Sequence, residues 1–245
     1  MVKRSRKTRR TRRQRGGSKT VDLVIARYKE DLGWLSTYTG HPFRRIIIYN
    51  KGPEMTCPPT KGLCEIRPLK NVGMCDHTYL YHIVHEYDNL ADITVFLPGS
   101  ADLAHKAPRM KSALDNAFKG QASIYGHDVG DMRESEKNFT LDRWEVSDPD
   151  NKEAGDSYAL HPASHRPFGA WVDHYLKGLP PCPYITYSGG LFALSRDMIH
   201  GHKIPFYRTF LSQLSHHKNT EAAHYMERVW GAIFYPFPEG VLHRI

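Results

Sequence analysis

Long apolar runs are absent from this chain of 245 residues. No stretch approaches the roughly 20 consecutive apolar residues that a membrane-spanning helix requires, so we expect no transmembrane segment. The N-terminal residues also lack the apolar centre of a secretory signal peptide. Together these absences predict a soluble, intracellular protein.

Cysteine is scarce, and its spacing does not indicate a metal site. The chain has four cysteines, Cys57, Cys64, Cys75 and Cys182, and no two of them form a C-x-x-C pair. A structural zinc site is therefore not expected. Free thiols are the default for a protein without a secretion signal, while a disulfide within residues 57–75 remains open if the protein reaches an oxidising compartment.

Acidic residues are missing from the first 20 positions, which hold ten lysines and arginines. The whole chain carries a formal charge of +8, but residues 21–245 hold 24 basic and 26 acidic residues, a net charge of −2. A segment this charged and this poor in apolar residues is predicted to be a disordered basic arm. Its candidate partners are nucleic acid, a nuclear import receptor or an anionic lipid surface, and a merely solubilising arm is the alternative.

Short apolar runs alternate with amphipathic segments in the first part of the body. Residues 21–27, 44–49 and 93–97 have the composition of buried strands, and the second contains three adjacent isoleucines. Helical spacing of apolar residues occurs over 77–89, and residues 31–38 begin a helix or a turn. This alternation predicts an α/β fold with a mostly parallel central sheet flanked by helices.

The other segments are less regular. Residues 52–75 contain four prolines and are expected to form an irregular excursion, and the polar segment 120–167 shows no clear period. Further helices are predicted over 101–118, 168–179, 205–215 and 220–233, and further strands over 184–187 and 191–194.

The end of the first strand carries the clearest functional signal. Its apolar run stops abruptly at Arg27, Tyr28, Glu30 and Asp31. Open α/β sheets bind ligands at this carboxyl edge. Arg27 is a candidate for contact with phosphate or base, Tyr28 for stacking on a base, and Glu30 or Asp31 for accepting hydrogen bonds from ribose or base. The structural alternative is that Asp31 caps the next helix and Arg27 pairs with Glu30.

Several sequence blocks occur in a recognisable order: V-D-L-V-I-A-R-Y-K-E-D-L-G-W-L from Val21, I-Y-N-K-G from Ile48, H-T-Y-L-Y-H-I from His77, Y-D-N-L-A-D-I-T-V-F-L from Tyr87, F-G-A-W from Phe168, Y-S-G-G-L-F-A-L-S-R from Tyr187 and H-Y-M-E-R-V-W from His224. In type and order these blocks resemble the domain-of-unknown-function family 3431. The likeness covers about residues 21–234.

That family is grouped with glycosyltransferases of the GT-A fold. The resemblance therefore implies a single GT-A-like domain over residues 21–245, with a nucleotide-binding half over about 21–100 and an acceptor half over 101–245. It implies transfer of a sugar from a nucleotide-sugar donor to a hydroxyl group of a glycan or protein acceptor. In GT-A proteins the edge that corresponds to residues 26–31 holds the nucleotide.

Two later features extend this candidate site. Gly189 and Gly190 follow a predicted strand, and adjacent glycines let the backbone approach a ligand closely, although a tight turn is the alternative. His224, Glu227 and Arg228 share one face of a predicted helix because they are three and four residues apart. The resemblance makes Glu227 the candidate base for the acceptor hydroxyl, and an ion pair with a neighbouring cation is the alternative.

The Asp-x-Asp motif that holds Mn²⁺ or Mg²⁺ in many GT-A enzymes is not found after the third predicted strand. The sequence there is P-G-S-A-D, which leaves Asp102 as the candidate metal ligand. Asp148-Pro149-Asp150 has the right letters but lies in a polar segment and is predicted to be a solvated turn. A basic side chain, Arg196 or Arg228, is the alternative partner of the diphosphate.

Three functions of different classes remain in view. The first is a glycosyltransferase, and the second is a non-catalytic sugar-binding or nucleotide-binding protein on a GT-A scaffold, which the missing Asp-x-Asp motif favours. The third is a nucleic-acid-associated protein that acts through its basic arm. An arginine-rich arm ending in Gly-Gly also resembles arms on proteins of large DNA viruses, which would place the protein in the host cytoplasm or the virion.

Overall fold

The computed structural model describes residues 18–38, 40–128, 134–141, 160–182, 184–185 and 190–244. Its strands are β1 (Val21–Arg27), β2 (Arg45–Asn50), β3 (Leu63–Pro68), β4 (Ile93–Pro98), β5 (Ile124–Asp128), β6 (Tyr184–Ile185), β7 (Phe192–Ser195) and β8 (Leu242–Arg244). Its α-helices are α1 (Met74–His85), α2 (Ala107–Phe118), α3 (Glu134–Lys137), α4 (Phe168–Tyr175), α5 (Arg196–His200), α6 (Ile204–Leu214) and α7 (Glu221–Phe234). Short 3₁₀ helices span Gly33–Tyr38 and Tyr87–Asn89.

The central sheet has the strand order β3-β2-β1-β4-β7. The first four strands in this order run parallel, and β7 runs antiparallel to β4. Val24 of β1 is in register with Ile47 of β2 and Phe96 of β4. The prediction of a mixed α/β fold with a mostly parallel sheet flanked by helices is therefore confirmed.

Both faces of the sheet are covered, which explains why its strands read as continuous apolar runs. On one face Leu23 and Ile25 join a core that includes residues of α2. On the other face Val24 and Phe96 join a larger core that includes residues of α1, α6 and α7. The carboxyl ends of β1, β2, β3 and β4 consequently emerge at one edge, between the two helical layers.

Residues 52–75 depart from the expectation of an irregular excursion, because they contain β3, which pairs with β2. The strand was not predicted because it lies at the edge of the sheet, is only half-buried and ends in a proline. A disulfide joins Cys57 in the preceding loop to Cys64 in this strand. The expectation of free thiols is thus wrong for these two cysteines.

The basic arm that was predicted for residues 1–20 lies outside the described residues except for its last three positions, Ser18 to Thr20. Thr20 is held to the body, since its backbone nitrogen and its hydroxyl both donate to Asp92 Oδ2 at 2.8 Å. Among the described residues, no helix has the length and apolar character needed to cross a membrane.

Candidate functional site

A cavity of about 370 Å³ opens at the carboxyl edge of the parallel strands. Its described walls come from the segment after β1, the segment after β2, the turn after β4, the start of α1, and the beginning of α7 with the residues before it. The charged residues that line it are Arg27, Lys29, Glu30, Lys51, Asp76, Lys106, Lys218 and Glu227. Four of the predicted site residues, Arg27, Tyr28, Glu30 and Glu227, therefore meet here.

Arg27 fastens the two loops that form one wall of the cavity. Its Nε donates to the carbonyl oxygen of Glu30 at 3.0 Å, and its Nη1 donates to Asn50 Oδ1 at 2.8 Å and to Pro53 O at 2.9 Å. The same loops touch at Gly52, where an added Cβ atom would lie 1.9 Å from Tyr28 O. The predicted ligand-binding arginine thus also has a structural role.

The two acids after β1 have different surroundings. Glu30 Oε2 accepts hydrogen bonds from the backbone nitrogens of Tyr28 at 2.6 Å and Lys29 at 3.1 Å, so this carboxylate holds its own loop. Asp31 is exposed, and its Oδ1 accepts from the Gly33 nitrogen at 2.9 Å. Asp31 is not among the described lining residues; it bonds to the first residue of the 3₁₀ helix Gly33–Tyr38, where the structural alternative predicted a helix cap.

Helix α1 begins at the cavity with an unusual backbone. Gly73 has φ 56° and Met74 has φ 53°, so two successive residues are left-handed where the chain turns into the helix. Gly73 has no side chain to cap the helix, and an added Cβ atom there would lie 2.5 Å from Leu214 O. The turn therefore aims the first residues of α1, Cys75 and Asp76, at the cavity.

Asp76 is a buried carboxylate that sequence reasoning did not single out. Trp230 Nε1 donates to its Oδ1 at 2.6 Å, and Cys75 Sγ lies 3.7 Å from its Oδ2. Burial and the nearby charge of Glu227 raise the pKa of Asp76 to about 7. A pKa near neutrality is one of the features of a general acid or base.

Glu227 is half-buried on α7, whose N-terminus is capped by Thr220 Oγ1 accepting from the Ala222 nitrogen at 3.3 Å. Trp230, one turn later on the same helix, is the residue that reaches Asp76. Since this bond joins α7 to α1, the two carboxylates are held on two packed helices rather than on loops. The helix also brings His224 to the cavity wall, whereas Arg228, predicted on the same helical face, is not a described lining residue.

Lysines form the cationic part of the cavity. Lys51 Nζ donates to Val72 O at 2.7 Å and also to Met74 O, and burial lowers the pKa of Lys51 to about 8. Lys106, at the start of α2, donates from Nζ to Ser100 Oγ at 3.1 Å. Lys218 is exposed just before α7. Sequence reasoning missed these lysines. For Lys51 a signal was available, because this polar residue directly follows the apolar run of β2, just as Arg27 stands at the end of β1.

Gly190, a predicted site residue, is not among the described lining residues but packs against Cys75, which is. It has φ 76°, its carbonyl oxygen accepts from Tyr79 OH at 2.7 Å, and an added Cβ atom would be 2.7 Å from Cys75 Sγ. A side chain at this position would therefore push against the start of α1. Gly189, the other predicted glycine, lies outside the described residues.

Arg196 lies at the opposite edge of the sheet, which corrects its assignment to the site. Because β7 runs antiparallel, its end at Ser195 is in register with Ile93, the first residue of β4. There Arg196 Nε donates to Leu90 O at 3.0 Å and Nη2 pairs with Asp92 Oδ1 at 3.1 Å. The alternative cation Arg228 is also not a described lining residue, and its guanidinium lies 4.1 Å from the Phe139 ring centroid.

The described residues do not provide a set of metal ligands. Asp102 is exposed in the turn after β4 and is not among the lining residues, while Ser100 and Lys106 of the same turn are. In the described part of the chain, no three His, Cys, Asp or Glu side chains cluster in a way that would hold an ion. Asp148 and Asp150 lie outside the described residues.

No protein-family model matches this chain, and no curated protein is significantly similar to it. The family likeness therefore rests on the sequence blocks alone, and function must be argued from the cavity.

Proposed function

We propose that this protein is a glycosyltransferase that uses a nucleotide-sugar donor and a hydroxyl acceptor on a GT-A-like domain. One observation carries the proposal. A single cavity at the carboxyl edge of the sheet brings the end of β1 together with a carboxylate on α7, 200 positions later in the chain. The position fits the general rule for ligand sites in open α/β sheets.

The two sides of the cavity have different roles in the proposed reaction. Tyr28 stacks on the base, and the backbone of the loop that Arg27 fastens orients the nucleoside. Glu227 takes the proton of the acceptor hydroxyl, whose oxygen forms a bond to the anomeric carbon. The bond from that carbon to the diphosphate oxygen breaks, and the nucleoside diphosphate leaves with the electron pair. No step is assigned to a divalent cation, because the described lining residues do not fit one.

The proposal is tested by incubating the protein with a panel of UDP-linked and GDP-linked sugars and measuring the release of UDP or GDP. We expect at least one donor to be hydrolysed or transferred, and Glu227→Gln to lose about 10²-fold or more in rate. Glu239→Gln, which removes an exposed carboxylate, is the matched control and should retain the wild-type rate. Full activity of Glu227→Gln would remove this residue from the proposed mechanism.

The non-catalytic alternative makes a different prediction for the same panel. A protein that only binds sugars or nucleotides would be stabilised by a donor without consuming it, and its melting temperature would rise with donor concentration. Binding without turnover by every donor would therefore replace the proposed activity with this alternative. A panel in which no donor is bound or consumed would contradict both the glycosyltransferase and the non-catalytic alternative.

A further inference from the structure

The cavity has an excess of positive charge. Of its described lining residues, Arg27, Lys29, Lys51, Lys106 and Lys218 are cationic, whereas Glu30, Asp76 and Glu227 are carboxylates. This imbalance is local, because residues 21–245 as a whole carry a net charge of −2. A cleft with a net positive charge, within a body whose net charge is negative, concentrates anionic ligands.

The carboxylates do not cancel this excess uniformly. Glu30 is already engaged by the backbone nitrogens of Tyr28 and Lys29. Asp76 is 3% exposed and accepts from Trp230. The third carboxylate, Glu227, lines the cavity from the α7 side.

The cations have a definite arrangement around the start of α1. Lys51 is fixed by the carbonyl oxygens of Val72 and Met74, which flank the left-handed turn at Gly73. The N-terminus of an α-helix favours anions, because its first backbone N–H groups lack partners within the helix. Lys106 and Ser100 face the same cavity from the turn after β4.

The turn after β4 is the place where the family resemblance led us to expect an acidic metal-binding motif. Here that turn presents a lysine and a hydroxyl to the cavity, and its acid, Asp102, is exposed outside the lining. A lysine ammonium supplies a point charge and hydrogen-bond donors to phosphate oxygens without a metal.

We infer that Lys51, Lys106 and Lys218, with the first turn of α1, form a metal-independent binding site for the diphosphate group of a nucleotide. This inference rests on the proposed function and adds to it the group that neutralises the leaving diphosphate. Lys51 and the helix turn bind the group from the sheet side, and Lys106 and Lys218 bind it from the two flanking loops.

The site is tested by calorimetric binding of pyrophosphate, UDP, GDP and uridine to the full chain in EDTA. We expect pyrophosphate and at least one nucleoside diphosphate to bind, and Lys106→Gln to weaken both about tenfold, as the loss of a charge-assisted hydrogen bond implies. The double variant Lys106→Gln/Lys218→Gln should weaken the binding of pyrophosphate and of the nucleoside diphosphate further. Lys111→Gln is the matched control, since Lys111 follows Lys106 closely on α2 but its side chain is 68% exposed and paired with Asp115.

Lys51→Met is a second test, and its folding is checked by circular dichroism because this lysine also holds the start of α1. Unchanged binding of pyrophosphate and nucleoside diphosphates in the Lys106 and Lys218 variants would overturn the inference, as would binding only in the presence of Mn²⁺. Uridine binding as tightly as UDP would also overturn it. Since the readout is binding, loss of binding in the variants supports the site even if no donor is turned over.

Discussion

Gly52 offers the most direct test of how the cavity wall is built. The substitution Gly52→Ala places a Cβ atom 1.9 Å from Tyr28 O and 2.7 Å from the Tyr28 carbonyl carbon. Both are backbone atoms, so no side-chain rotation relieves the contact. The loops after β1 and β2 must separate, which strains the hydrogen bonds from Arg27 to Asn50 and Pro53.

The size of the effect follows from two opposing terms. Replacing glycine by alanine reduces the entropy of the unfolded chain and stabilises a protein by about 0.4–1 kcal/mol when the new side chain fits. Forcing an atom into a packed position costs roughly 1–3 kcal/mol or more. We place the cost for Gly52→Ala at the upper end of this range, because the contact is with backbone atoms. The expected net loss in the free energy of unfolding is about 2 kcal/mol. For a domain of this size that is a fall in Tm of about 4–8 °C.

The measurement is thermal unfolding followed by circular dichroism, with Gly40→Ala as the control. An added Cβ atom at Gly40 meets nothing within 4 Å, so this variant should melt at or slightly above the wild-type temperature. The same two variants are then compared for nucleoside diphosphate binding, which only Gly52→Ala should impair. A Gly52→Ala variant as stable as the wild type would show that the two loops do not meet as described.

Two further predictions concern ionisation and thiols. The pKa of Asp76 is raised in the folded protein to about 7 from an ordinary value of 3.8, so its contribution to stability is greatest below 3.8 and is lost as the pH rises to 7. Asp76→Asn should therefore flatten the pH dependence of urea unfolding over that interval, and an unchanged slope would contradict the raised pKa. Titration of the denatured protein with a thiol reagent should find two thiols, Cys75 and Cys182, before reduction and four after reduction. Four thiols before reduction would exclude the disulfide between Cys57 and Cys64.

The sheet could be predicted from the sequence wherever burial on both faces removed polar residues from a strand. Residues 21–27 and 93–97 were predicted as strands on that basis and form β1 and β4. Strand β3 could not be found in this way, because an edge strand alternates apolar and charged residues and here carries Glu65 and Arg67. Those two residues pair with each other at 2.6 Å, an arrangement that depends on the folded strand.

The site was predictable only in part. Arg27, Tyr28 and Glu30 follow from the abrupt end of an apolar run, which is a local signal. Asp76 has no such signal, because its environment is created by Trp230, 154 positions later in the chain. Lysines are common on protein surfaces, so nothing in the composition around Lys106 distinguishes it until the turn after β4 is placed at the cavity.

The polar residues at the end of β1 consequently have a narrower role than their position suggested. Arg27 and Glu30 make hydrogen bonds within and between the loops after β1 and β2, so they set the shape of the wall. The groups that could act on a diphosphate and on an acceptor, Lys51, Lys106 and Glu227, come from segments further along the chain. Glu227 lies on α7, and Lys51 is bonded to residues at the start of α1, so the bond from Trp230 to Asp76 ties together the helices that position these two groups. Changes at that bond should therefore impair the proposed reaction more than changes at Tyr28, which should alter the proposed binding of the nucleotide alone.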